Sequence, residues 1–159
     1  MSAADTGPVH PRGDGDAWTT CALGHRHWGL HGAAGLLLVA PGPRVLLQHR
    51  APWSHHGDTW GIPGGARAST ETAREAALRE AEEETGVSAA DLVVDAEFVD
   101  DHGGWSYTTV RAHAPRDLPL QPERESLALE WVDADAVADR PLHPGFAAGW
   151  PAHLSALSG

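Results

Sequence analysis

Three glutamates, Glu80, Glu83 and Glu84, stand at i, i+3 and i+4. On a helix that spacing gathers all three carboxylates on one face within about one turn, while Glu82 projects elsewhere. Like charges so placed repel, so the cluster costs stability unless cations compensate it. Arg79 is adjacent in sequence and can offset only part of the charge. A hard cation such as Mg²⁺ takes oxygen ligands, often a few carboxylates completed by water and substrate phosphates. The chemistry on offer is therefore metal-assisted attack on a phosphate. Taken alone, E-x-x-E-E is more readily a solvated acidic face.

The surrounding residues change that balance. Gly65 is followed by five residues and Glu71, then by seven residues and Arg79-Glu80-Ala81-Glu82-Glu83-Glu84-Thr85-Gly86-Val87. This stretch resembles the Nudix box, G-x5-E-x7-R-E-U-x-E-E-x-G-U with U apolar, and every fixed residue type is at its spacing. Ala81 is smaller than the usual aliphatic, a departure that bears on packing behind the helix. The preceding Trp60-Gly61-Ile62-Pro63-Gly64-Gly65 is similar to the strand and loop that lead into the box. The box spans residues 65–87, and strand order is compatible with the family across residues 30–131.

The resemblance implies an α/β fold of Nudix type, an α/β/α sandwich with a mixed sheet flanked by helices. It implies Mg²⁺-dependent hydrolysis, with Mn²⁺ as a substitute, of a diphosphate bond in a nucleoside diphosphate linked to another moiety. Glu83 and Glu84 correspond to the main metal-binding carboxylates, and Glu80 to a further ligand or the catalytic base. Arg79 would orient these carboxylates, and the backbone carbonyl of Gly64 or Gly65 would also touch metal. Glu71 is expected to be structural, capping or pairing near the helix start. Glu80 is the first choice of base, with Glu123 or Glu125 on a later loop as alternatives. A nucleoside triphosphate, oxidised ones included, cleaved to monophosphate and pyrophosphate is the leading substrate. ADP-ribose or a nucleotide sugar is the alternative. The rival from another class is a non-catalytic nucleotide-sensing module, which has no need of a repulsive carboxylate cluster.

These residues need a frame. Residues 70–85 read as a long helix, with Ser69 or Thr70 as cap, Glu71 in the first turn and Gly86 as a left-handed terminator. Ala73, Ala76, Ala77 and Leu78 favour that helix and let it lie close on a sheet. Strands are expected at 30–40 and 44–50 as a hairpin, then at 59–62, 92–101, 105–113 and 127–132. A short helix follows at 133–138, and a C-terminal helix at 146–157 broken near Pro151. Strands on both sides of one strong helix suggest a mixed sheet with helices on its faces.

Other residues carry chemistry in reserve. Arg50 ends a strand where the family often has a basic residue reaching substrate; a surface ion pair is the equal alternative. His55 and His56 precede the box strand and could line the substrate mouth. Of the seven tryptophans, Trp60 and Trp131 read as core, whereas Trp53 and Trp105 lie in or beside loops where either could stack on a nucleobase. Cys21, His25, His27 and His31 raise the question of zinc, but their spacing does not form paired ligand units. They are read instead as an ordered N-terminal extension or a subunit contact. Asp100-Asp101-His102-Gly103-Gly104-Trp105 reads as a plain hairpin turn.

Composition sets the outer limits. The 159 residues fit one compact domain, expected at 18–159 after a polar, flexible tail at 1–17. A net charge of −11 opposes non-specific binding to nucleic acid or anionic membranes. All 11 basic residues are Arg, which excludes a Walker-type phosphate loop and its lysine. Phosphate handling must fall to Arg, backbone N–H groups and metal. The start of the chain lacks the pattern of a secretory signal, no apolar run reaches membrane-spanning length, and Cys21 is alone. The expectation is a cytoplasmic protein acting on a small-molecule nucleotide, without nucleic-acid or membrane partners and with a homodimer left open.

Overall fold

A computed structural model describes residues 13–54, 56–123 and 126–158. Its centre is β3 (Ala33–Ala40), buried at every position, as a strand covered on both faces must be. Antiparallel β4 (Arg44–Arg50) meets β3 only at Val39↔Val45 and Ala40↔Arg44. The expected hairpin therefore forms and then opens. Beyond that point β3 pairs with β6 (Gly64–Ala66) and β4 with β5 (Trp60–Gly61), while β4 pairs with β9 (Ser126–Asp133) all along its length from Arg44 to Arg50. On the other side β3 runs parallel to β8 (Ser106–His113), which carries the edge strand β7 (Val93–Asp101). One parallel pair among antiparallel ones makes the sheet mixed, and the main path is β5-β4-β3-β8-β7.

Because side chains alternate along a strand, β3 and β4 feed two cores. Leu36, Leu38, Leu46, Val110 and Ala112 pack with Ala76, Ala77 and Ala81 of α1 (Ala73–Thr85). Leu37, Val39, Val45 and Leu47 pack on the opposite face with Trp60 and with Trp150 of α2 (Pro144–Ser158). This is the expected sandwich of helices on a mixed sheet. The small Ala81 sits in the first core at 1% exposure, so its departure from the usual aliphatic lets α1 approach the sheet closely. Trp131 is only half-buried, its Nε1 donating to the Leu118 carbonyl.

Local chemistry moved several boundaries. Helix α1 begins at Ala73, not residue 70, because Thr72 and Glu75 form a reciprocal capping box. Ser69 is engaged elsewhere, with its N–H donating to Asp14 at 2.8 Å. Glu71 thus precedes the helix. The strand expected to end at Pro63 resumes as β6, where a Cβ on Gly64 would lie 2.5 Å from the Ala34 carbonyl oxygen. Helix α2 starts two residues earlier than expected, with Pro144 in its first turn, and runs unbroken through Pro151. Pro151 is exposed while Trp150 is buried, so the missing hydrogen bond falls on the solvent side.

The N-terminal segment forms a two-stranded hairpin, β1 (Trp18–Thr20) with β2 (Arg26–Trp28), which the sequence did not mark as strand. Residues 1–12 of the expected tail lie outside the described residues. Residues 13–17 make backbone hydrogen bonds to the segment before β3: Leu30 N–H donates to Gly15 O, and Gly29 N–H to Ala17 O, both at 2.8 Å. Among the described residues no helix is long and apolar enough to cross a membrane.

Candidate active site

Helix α1 lies with its carboxylates at the end of the sheet where β3 begins and β4 ends. Glu80 is 1% exposed and Glu84 6%, whereas Glu83 faces outward. Glu82 is exposed, as its place on the helix requires. Burial pushes the Glu84 carboxyl well above the usual range, and the neighbouring Glu80 adds to the shift. Arg50 and a hydrogen bond with Gln48 act in the opposite direction. Two carboxylates held together out of water are costly unless opposite charge joins them.

Arg79 supplies a fixed part of that charge. Its Nε and one terminal nitrogen donate to the two Glu71 oxygens at 2.6 and 2.9 Å, a bidentate pair. The other terminal nitrogen reaches Glu80 Oε2 at 3.2 Å and Glu83 Oε2 at 3.4 Å, and a further bond goes to Ala66 O at 3.2 Å. The Arg79 hydrogen bond is the main reason Glu71 is held below its ordinary pKa, and Glu71 in turn raises that of Arg79. Glu71 also accepts from Ala68 N–H at 3.0 Å. The expected pairing of Glu71 near the helix start is thus a clamp between the loop after β6 and the middle of α1.

Gly65 lies against this cluster: an added Cβ would come within 2.6 Å of the Glu80 carboxylate. Its glycine is required by that close approach. Arg50 sits at a register shift at the end of β4, and its charge acts on both Glu84 and Tyr107. Of the later-loop carboxylates, Glu123 is half-buried near the start of β9, its carbonyl accepting from Ser126 N–H; Glu125 and His55 lie outside the described residues. Trp105 is half-buried beside the N-terminal hairpin. Its ring is stacked on His27 with centroids 3.9 Å apart, and its Nε1 is buried. Trp53, by contrast, is 57% exposed on the loop that follows Arg50.

Sequence reasoning missed two members. Gln48, 2% exposed, hydrogen-bonds Glu84 and donates to Ser126 Oγ at 2.7 Å. Tyr107 is half-buried, with its pKa raised by desolvation and by Glu84, and its hydroxyl fills the space that a Cβ on Gly35 would need. A glutamine inside the apolar run Val45-Leu46-Leu47-Gln48 was the available clue to the first. Nothing local marks the second.

The donor set is all oxygen: three carboxylates, two of them buried together and incompletely neutralised by Arg79 and Arg50. That is the composition a hard divalent cation fits.

The comparisons agree with this geometry. The family model described as NUDIX domain matches residues 29–153. A Mycobacterium tuberculosis protein named "Putative 8-oxo-dGTP diphosphatase 3" is 54% identical over 149 residues, covering 87% of this chain and 69% of that protein. A Bifidobacterium longum "Nucleoside triphosphate pyrophosphatase/Nudix hydrolase fusion protein" is 42% identical, covering 94% of this chain and 32% of that protein. Among solved structures, the Mycobacterium smegmatis Nudix hydrolase RenU superposes with a TM-score of 0.86 at 51% identity, covering 91% of this chain and 96% of that one. Nudix hydrolases act on small nucleotide substrates and generally use divalent metal ions. The chain belongs to the NUDIX domain family and is a Nudix hydrolase.

Proposed function

We propose that this protein is a Mg²⁺-dependent nucleoside triphosphate pyrophosphohydrolase acting on oxidised substrates of the 8-oxo-dGTP kind. The observation that carries the reading is the gathering of Glu80, Glu83 and Glu84 on one face of α1, joined to Glu71 through Arg79. The 54% identical relative named for 8-oxo-dGTP supports the substrate class. Glu83 and Glu84 would hold the metal, with Glu80 and the Gly65 carbonyl beside them. Bound there, the cation would neutralise phosphate charge and lower the pKa of a water. Glu80 takes the proton from the attacking water. Arg79 is a positioning residue, acting through the carboxylates it bonds. Arg50 binds a phosphate oxygen, and of the two tryptophans able to stack on the base, the more exposed Trp53 takes that role. A cytoplasmic location suits such a nucleotide-directed reaction.

The test is a panel of 8-oxo-dGTP, ordinary nucleoside triphosphates and ADP-ribose with Mg²⁺ or Mn²⁺, products separated by chromatography. The expected result is monophosphate and pyrophosphate, with the oxidised nucleotide cleaved fastest. Preference for ADP-ribose would overturn the substrate assignment, and no turnover of any member would leave a nucleotide-sensing module.

Two variants check the assigned roles. Arg50→Ala removes a charge-assisted hydrogen bond of about 1.5–3 kcal/mol, so KM should rise by roughly 10–100-fold with a smaller change in kcat. An unchanged KM would remove Arg50 from the substrate site. Arg79→Lys keeps the charge but loses the planar fork. Apparent metal affinity, read from activity against Mg²⁺ concentration, should fall by roughly 10–100-fold. A lower kcat with an unshifted metal curve would contradict the positioning role.

A further inference from the structure

Away from the α1 carboxylates, the β1–β2 hairpin meets the turn between β7 and β8. Their junction brings together Cys21, His27 and His102, each offering one ligand atom, with all three atoms within 4.8 Å of one another. Cys21 is a free thiol, 5% exposed. His27 Nε2 is buried and makes no hydrogen bond. His102 Nε2 lies 2.9 Å from Asp100 Oδ2, which leaves Nδ1 as its second ring nitrogen. A carboxylate on the far nitrogen is how a metal-bound histidine is usually oriented.

We propose that Cys21, His27 and His102 form a zinc site that clasps the N-terminal hairpin to the β7–β8 turn. One sulfur and two imidazoles suit zinc rather than the hard cation expected at the glutamates. In a tetrahedral site with the usual zinc bond lengths the donors lie about 3.3–3.7 Å apart. Closure by no more than about 1.5 Å, within reach of side-chain rotation, completes it. Water takes the fourth position. On binding, the Cys21 thiol gives its proton to solvent and the thiolate sulfur bonds the metal.

The surrounding backbone already holds the ligands in place. Ala22 N–H donates to Gly103 O at 2.7 Å, joining the two turns directly. Cys21 N–H donates to His25 O, closing one turn, and His102 N–H to Trp105 O, closing the other. Trp105 stacks on His27 with planes 6° apart, fixing the imidazole from one side. The site uses none of the residues assigned to phosphate hydrolysis, so it stands or falls apart from that function.

The experiment uses the full chain without a histidine tag, under reducing conditions, titrated with Co²⁺ as an optical probe for zinc. One equivalent should produce thiolate-to-cobalt absorption that Zn²⁺ abolishes, and Glu83→Gln should leave this unchanged. Cys21→Ser should abolish the band. His102→Gln, at a turn rather than in the core, should weaken binding at least about tenfold and remove any rise in Tm caused by Zn²⁺. If Cys21→Ser does not fold, the His102→Gln titration decides alone. Absence of a thiolate band in the unaltered protein, or equal affinity in folded His102→Gln, would overturn the site.

Discussion

Replacing Glu84 by glutamine is expected to abolish most turnover while raising the thermal stability of the metal-free chain. The two effects share one cause. Glu84 and Glu80 are buried side by side at 6% and 1% exposure, with Arg79 bonded to Glu80 and Glu83 and Arg50 facing Glu84. Removing one partner's charge relieves both the repulsion and the desolvation of a buried carboxylate. The amide keeps the shape and can still hydrogen-bond Gln48. In the presence of EDTA, Tm should rise by roughly 2–4 °C for each kcal/mol relieved. With Mg²⁺ present, kcat/KM should fall by roughly 10²–10⁴-fold, the several kcal/mol of charge stabilisation a catalytic metal contributes. Glu82→Gln, on the exposed side of the same helix, should do neither. A Glu84→Gln enzyme that stayed fully active would refute the metal assignment, and one that lost stability in EDTA would refute the account of repulsion.

The second large effect separates the candidate bases. Glu80→Gln should lower kcat by roughly 10²–10⁴-fold, the usual contribution of general-base catalysis, with KM little changed. The pH–rate profile should also lose its acidic limb, because the group that must be deprotonated is gone. Glu123→Gln should cost less than about tenfold, since Glu123 lies half-buried near the start of β9 rather than on the carboxylate face of α1. If Glu123→Gln removes the acidic limb and Glu80→Gln retains it, the base belongs to the late loop and Glu80 serves only the metal.

Much of this site is local, and local chemistry is readable. Helical spacing places Glu80, Glu83 and Glu84 together whatever else the chain does. Gly86 ends α1 with φ 78°, its N–H donating to Glu82 O, as a glycine after the last helical turn predicts. Even the misplaced helix start was written locally: Thr72 and Glu75 carry the capping-box pattern that Ser69 and Thr70 obscured. The alternation along β3 likewise implies two cores, one for each covering helix.

The sequence by itself determined the carboxylate face, the arginine beside it and the absence of lysine, which leaves phosphate neutralisation to arginine and metal. Only the tertiary structure decided what surrounds them. Strand pairing brings Gln48 and Arg50 of β4 and Tyr107 of β8 to Glu84, and it stacks Trp105 on His27. The same long-range pairing sets Cys21 and His27 beside His102, a grouping no sequence spacing could announce. The physical reason is range. Helix geometry fixes neighbours a few residues apart, whereas contacts between distant segments depend on the register and packing of the whole sheet.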